Sequence, residues 1–286
     1  MPYRATCHTH TYRCHHASGD VADYAAVAAA GGCRVLGMSD HAPTVDGRWP
    51  EWRMALAELD GYEAAVRAAR RDFPGMAILL GLECEWTPEF DAFQRDELLG
   101  RRGYDYLIGS CHVTVVGGRE LSSFSGLLDA AGLAAYARTV VRTMESGLFA
   151  FIAHPDAFGN GYVRWDADAV ACARDIATAA AQLGVALELN GYGLRKETVV
   201  GEHGVRAPYP WPPFWEVAAA CGARVVLNSD AHAPEDTLAN WDELDALRRA
   251  CALTEVLPDV AGARGTRVRF VPVDGAAPIA GVPARR

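Results

Sequence analysis

The chain has 286 residues, half of them hydrophobic, and a formal net charge of -9. That length suits one well-buried domain spanning 1–286. The acidic balance disfavours broad nucleic-acid binding, and no apolar run approaches the ~18 residues of a membrane span. The opening MPYRATCHTH lacks the apolar stretch of a secretory signal, so a cytoplasmic enzyme is expected.

In chain order, short β-like runs alternate with longer helical ones. Strands are expected at Ala5–Thr9, Arg34–Ser39, Ala77–Glu83, Tyr106–Cys111, Phe149–Ala153, Val185–Asn190 and Arg224–Asn228. Helices are expected over Asp20–Ala30, Trp52–Asp72, Ala130–Ser146, Asp168–Leu183 and Phe214–Cys221, with Gly31, Gly147, Gly184 and Gly222 as stops. Alternation of this kind predicts an α/β fold with a parallel sheet. About seven units in one chain make closure into a TIM-like barrel the economical solution, with its site at the carboxyl ends of the strands.

His8, His10, His16, His41, Glu83, His112, His154, Asp230 and His232 are residue types that bind metals, and they cluster just after those apolar runs. Of the nine histidines only His15 and His203 fall outside the series. Any one of them alone reads best as an ordinary core or surface histidine. A set gathered on one rim reads as a metal site. Nine ligands exceed what one tetrahedral ion takes, so two or three divalent ions are expected. Imidazole and carboxylate without thiolate suit zinc, manganese or iron. The eight cysteines show no C-x-x-C spacing and read as reduced, mostly buried thiols. Cys7, Cys84 and Cys111 are expected to face the helical layer, opposite the adjacent ligands.

The segments HTHTYRCHHA, SDHAP, GLECEW, GSCHV, IAHPD and SDAH resemble the successive motifs of the PHP (polymerase and histidinol phosphatase) superfamily. Glu188, Asn190, the run Gly193-Leu194-Arg195-Lys196 and Tyr209-Pro210 resemble its histidinol-phosphate phosphatase branch. The resemblance runs from His8 to His232. It implies a distorted (β/α)7 barrel and a trinuclear site. His8, His10, Glu83 and Asp230 would hold the first metal. Glu83 would bridge to a second, completed by His112 and His154, and His16, His41 and His232 would hold the third.

The implied reaction is hydrolysis of a phosphate monoester of a small metabolite, L-histidinol phosphate first, with Glu83, Asp230, His232 and Arg195 as the catalytic group. His232, Asp230, His154 or a water is left open as the general acid. Arg195 and Lys196 are the expected phosphate-binding cations. After His154-Pro155-Asp156 the branch usually carries basic residues, whereas here no charge appears until Arg164, which could substitute. That departure keeps two alternatives in play: another phosphorylated or specialised-pathway metabolite, and a non-catalytic metal-binding accessory protein. Trp49, Trp52, Trp86, Trp211 and Trp215 read as packing over strand ends rather than as pocket walls. Arg67, Arg70 and Arg71 read as a solvated helix face.

Overall fold

A computed structural model describes residues 4–202, 204–260 and 267–273; His203 lies outside them. The elements run β1 (Ala5–Thr6), α1 (Val21–Ala30), β2 (Val35–Met38), α2 (Leu59–Asp72), β3 (Ala77–Leu80), β4 (Glu83–Glu85), β5 (Ile108–Ser110), β6 (Val113–Val116) and β7 (Arg119–Ser122). They continue with α3 (Ala130–Glu145), β8 (Phe151–Ile152), α4 (Ala167–Leu183), β9 (Ala186–Asn190), β10 (Val199–Gly201), β11 (Gly204–Arg206), α5 (Pro212–Ala220), β12 (Arg224–Asn228), α6 (Trp241–Ala250), β13 (Thr254–Asp259) and β14 (Arg269–Pro272).

The architecture is α/β. β1, β2 and β3 form a parallel three-stranded sheet. A seven-stranded sheet runs β14-β13-β12-β9-β8-β5-β4, parallel except for β13 against β14. Two single parallel bridges join the edges of these sheets, Thr9 to Ala231 and His41 to Glu83. The expected strand Ala77–Glu83 is split at Gly81-Leu82: its first half pairs with β2 and its second with β5. The split carries the chain from one sheet to the other, and Glu83 lies just past it.

Local chemistry explains the helices. Asp20 and Asp23 form a capping box on α1, Asp129 caps α3, and Asp166 caps α4, which ends at Gly184 with φ 70°. The helix expected from Trp52 starts only at Leu59. Arg53 is extended and buried there, pairing with Glu85 at 3.1 Å, and two short 3₁₀ turns flank it. Further elements went unforeseen: a π-helical segment at Phe93–Arg101, the β6–β7 and β10–β11 hairpins, α6, and β13 with β14.

Three apolar clusters organise the interior. One packs α3, α4 and α5 on the strands through residues such as Ile176, Leu187 and Trp215. A second packs α1 and α2 through Tyr24, Leu36 and Tyr62. A third takes the opposite strand faces, with Val35, Leu79, Ile108, Phe151 and Val226. Cys84 and Cys111 fall in the helix-facing clusters, as the pleat requires. Cys7 does not: it belongs to the third cluster. Ala5, two residues earlier, lies in that same cluster, so Cys7 keeps the face that β1 sets, and its amide bonds the Asn228 side chain at 2.7 Å. Among the described residues no helix is long and apolar enough to cross a membrane.

Candidate metal centre

The rim of the strands gathers the residues in question around a cavity of about 260 Å³. His10, His16, His41, Glu83, His112, His154, Asp230 and His232 line it, with Trp52, Phe124, Tyr192, Lys196 and Tyr209. His8 sits beneath, fully buried, 3.4 Å from Glu83 and 3.6 Å from Asp230. Glu83 is central. Its Oε2 faces His41 at 2.9 Å, His8 at 3.4 Å and His10 at 3.7 Å. Its Oε1 faces His154 at 3.1 Å and His112 at 3.5 Å. One carboxylate thus addresses two groups of imidazoles. Asp230 stands across from it, 3.0 Å from His10 and 3.5 Å from His232. His15 is exposed.

The backbone is strained where it delivers two of these side chains. His154 has φ 28° and Asp230 φ 50°, in the region that side-chain-bearing residues avoid. Each costs of order 1–3 kcal/mol and persists only if its surroundings enforce it. At Asp230, Arg195 is part of that enforcement. Its guanidinium donates to the carbonyls of Ser229 (2.8 Å) and Asp230 (3.2 Å) and to Asn240 (2.9 Å), and its Nε lies 3.2 Å from Asp236. It does not line the cavity. The Arg195 Nη groups thus face the turn after β12 rather than the cavity that its expected phosphate role would need. Arg164 is also placed elsewhere: it is exposed, pairs with Asp166 at 3.2 Å and covers the Tyr162 ring. Lys196 does border the cavity, its ammonium 4.5 Å from the Tyr192 ring centre, 5.3 Å from Phe124 and 5.9 Å from Tyr209.

Two buried carboxylates absent from the sequence-derived site, Glu188 and Glu85, orient imidazoles by hydrogen bonds, and a third, Asp40, lies near His10. Glu188 accepts from His8 Nδ1 (2.8 Å), the His154 amide (3.0 Å), and the side chains of Asn190 (2.7 Å) and Asn228 (2.8 Å). Glu85 accepts from His112 Nδ1 at 2.6 Å and from the His112 amide at 2.9 Å. Asp40 accepts from the Thr11 and His41 amides and lies 3.6 Å from His10 Nδ1. Carboxylates behind imidazoles fix tautomer and ring orientation and raise ligand basicity. Asp40 and Glu85 lie in the SDHAP and GLECEW motifs, so a carboxylate beside or two residues from a ligand was the available signal.

These contacts leave the inner nitrogens as acceptors. His16 Nδ1 contacts the Cys14 carbonyl at 2.7 Å and His232 Nδ1 the Asp230 carbonyl at 3.2 Å. Carbonyls only accept, so each ring, when neutral, carries its proton on Nδ1, and the two Nε2 atoms then meet lone pair to lone pair at 3.1 Å. Such an encounter calls for a cation. His8 Nε2, both His10 ring nitrogens, His41 Nδ1, Glu83 Oε2 and Asp230 Oδ1 are buried with no hydrogen-bond partner. Buried polar atoms are seldom left in that state without a function. Triplets such as His8–His10–Asp230, His41–Glu83–His112 and His10–His41–His232 each bring three ligand atoms within 4.8 Å of one another. The donor set fits divalent metal.

The carboxylates and imidazoles are strongly coupled: burial opposes the charged forms of His8 and His10, yet Asp230, Glu188 and Glu83 at His8 and Asp230 and Asp40 at His10 outweigh it and push both well above the usual imidazole range. Burial is the largest influence on Glu83 and raises its pKa, yet His112, His8 and His41 outweigh it and hold the carboxyl well below its usual range. Burial likewise opposes ionisation of Asp230, and His8, His10 and His232 overcome it. At His41 and His232 burial prevails and favours the neutral, ligating form. Burial also lowers the Lys196 ammonium, partly offset by Asp230.

The PHP domain family model matches residues 6–191. The chain is 34% identical over 237 residues to a Deinococcus radiodurans protein named "Probable histidinol-phosphatase", covering 79% of this chain and 85% of that one. It is 29% identical over 232 residues to a Shewanella oneidensis protein named "Probable phosphatase", covering 81% and 77%. Among solved structures, histidinol phosphate phosphatase from Lactococcus lactis, complexed with zinc, L-histidinol and phosphate, superposes with a TM-score of 0.70 at 16% identity. That superposition covers 93% of this chain and 98% of that chain and speaks to the fold alone.

Proposed function

The chain belongs to the PHP domain family, and from that premise we propose a metal-dependent phosphomonoester hydrolase of the histidinol-phosphate phosphatase type. The observation that carries the reading is the cluster of inward-facing lone pairs around Glu83, buried and unpartnered. His8, His10, Glu83 and Asp230 would hold one ion, Glu83 with His112 and His154 a second, and His16, His41 and His232 a third. The bridges Thr9–Ala231 and His41–Glu83, at the edges of two parallel sheets, support a distorted seven-stranded barrel with this site at its rim. Bound divalent ions supply a water of lowered pKa and draw charge from the phosphoryl oxygens.

The protein's own part is orientation and charge. Glu83 divides its two oxygens between two sets of imidazoles. Glu188 and Glu85 fix the rings of His8 and His112 from behind. Lys196, the one Lys or Arg lining the cavity among the described residues, steadies the phosphoryl oxygens. Arg195 acts at one remove, holding the strained Asp230 turn.

Phosphate release from L-histidinol phosphate, with zinc, manganese and iron supplied in turn, tests the reading. Turnover abolished by a chelator and by Glu83→Gln is the expected result. A metal-loaded protein that releases no phosphate from any monoester sinks it. A second reading, another small phosphorylated metabolite as substrate, is favoured by the exposed position of Arg164, which leaves no basic residue of the loop after His154 lining the cavity. Turnover of other monoesters but not of L-histidinol phosphate would select it.

A further inference from the structure

We propose that a groove beside the metal centre, walled by the Trp49–Trp52 turn and the β6–β7 hairpin, is the leaving-group subsite, and that it takes a flat, ring-bearing group without negative charge. This rests on the phosphomonoesterase reading above. The groove has a volume of about 390 Å³, larger than the metal cavity at about 260 Å³. It is continuous with that cavity: Trp52, His112 and Phe124 line both. A phosphoryl group seated in the metal cavity beside Lys196 can therefore direct its ester oxygen past His112 into the groove.

The walls are flat. Trp49 and Trp52 stack with ring centres 5.8 Å apart and planes 27° apart, and Trp52 meets His112 edge-on at 5.3 Å. Phe124 stacks on His112 at 5.6 Å. Val113 and Leu121, from the two strands of the hairpin, add aliphatic surface. Offset-stacked and edge-on contacts favour planar rings over alkyl chains of equal area. The charge is equally specific. Among the described residues Glu120 is the one carboxylate or basic side chain other than His112 on the groove lining. It accepts from Trp49 Nε1 at 3.2 Å and lies 3.8 Å from Arg48, tying the hairpin to the turn. A leaving group bearing its own carboxylate would meet that charge. On hydrolysis, water's oxygen bonds to phosphorus, the ester P–O bond breaks, and the leaving oxygen takes up a proton to become the alcohol or phenol held here.

The test compares kcat/KM of the metal-loaded holoenzyme for 2-naphthyl, phenyl and 4-carboxyphenyl phosphate, whose leaving groups differ in ring area and charge. The naphthyl ester is expected to be about tenfold better than the phenyl ester, since its second ring buries additional apolar area. The carboxyphenyl ester is expected to be poorer than the phenyl ester. Leu121→Ala and Trp49→Ala should each pull the naphthyl-to-phenyl ratio toward one. A wild-type ratio near one overturns the subsite whether or not either variant folds. Calorimetric titration with 2-naphthol and phenol reads the groove without turnover: tighter naphthol binding supports it, and equal affinities overturn it. If no monoester is hydrolysed, the phosphatase reading falls while the calorimetry still decides the groove.

Discussion

Along β8, β9 and β12 the chain passes, within a few residues, from Phe151, Ala186 and Val226 in an apolar interior to His154, Asn190 and Asp230 at the rim. Both ends are buried to a similar degree: Phe151 and Asn190 are each 0% exposed. Their energetics are opposite. At the interior end, burial stabilises each side chain directly. At the rim, burial costs free energy, and positive φ at His154 and Asp230 adds strain. The rim is tolerable because the interior end of the same strands is well packed, and because carboxylates such as Glu188 pair the imidazoles from behind. Stability and function are divided along the length of each strand.

The sharpest way to break this comparison is at Glu83. Glu83→Gln is expected to lower phosphatase kcat by about 10³-fold while far-UV circular dichroism stays that of the parent. Retained activity would show that the rim is not specialised. The converse substitution is Phe151→Ala, which should lower unfolding free energy by about 3 kcal/mol in urea titrations, with the folded fraction binding metal as the parent does. Loss of metal without loss of stability would mean the interior and rim are one unit. Removing metal with a chelator should cost roughly 2.7 kcal/mol of stability if ions are present at a hundredfold excess over Kd, read as a lower Tm. An unchanged Tm would mean no ion is held. Glu188→Gln weakens the acceptor behind His8 Nδ1, and metal affinity is expected to fall about 10- to 100-fold by competition titration. An unaltered affinity would assign Glu188 to strand packing alone.

Most of the nine candidate ligands are legible in the chain because they follow an apolar run, and an apolar run that ends in histidine, aspartate or glutamate is a local pattern. What was not legible depends on partners distant in sequence. Glu188 lies 180 residues from His8, and nothing beside either of them announces the bond. Arg195 reads as a phosphate ligand because it is a cation near the rim; only the positions of the Ser229 and Asp230 carbonyls reveal where its donors go. Trp52 was assigned to packing, yet it lines the cavity, since the delayed start of α2 leaves it on a turn beside His41 and His112. The β6–β7 hairpin did carry a local signal: Gly117 and Gly118, both at positive φ, separate two β-branched or extended runs in the two-residue arrangement such turns favour. No ligand follows it, so it lacks the signal that marks the rim strands. β13 and β14, after Asp230, lack that signal too.

The smallest effect is the most discriminating, because it concerns thiols that sit on the boundary between the two regions. Cys84 lies between Glu83 and Glu85, and Cys7 and Cys111 each precede a rim histidine. If the division holds, these sulfurs belong to the packed side, and their neighbours' chemistry should not reach them. Cys7, Cys14, Cys33, Cys84, Cys111 and Cys172 are buried, while Cys221 and Cys251 are half-buried. Burial pushes the Cys33 thiol up to about 11, partly offset by backbone hydrogen bonds, and Cys172 higher. A disulfide reagent at pH 8 should therefore label Cys221 and Cys251 within minutes and Cys7, Cys33, Cys84, Cys111 and Cys172 only at the rate of local opening or unfolding. Chelation should leave the slow labelling of Cys84 and Cys111 nearly unchanged beyond the stability lost with the metal, because both side chains pack against the helices rather than the rim. Rapid labelling of either on chelation, with the fold intact by circular dichroism, would place the thiols in the metal site and erase the boundary drawn above.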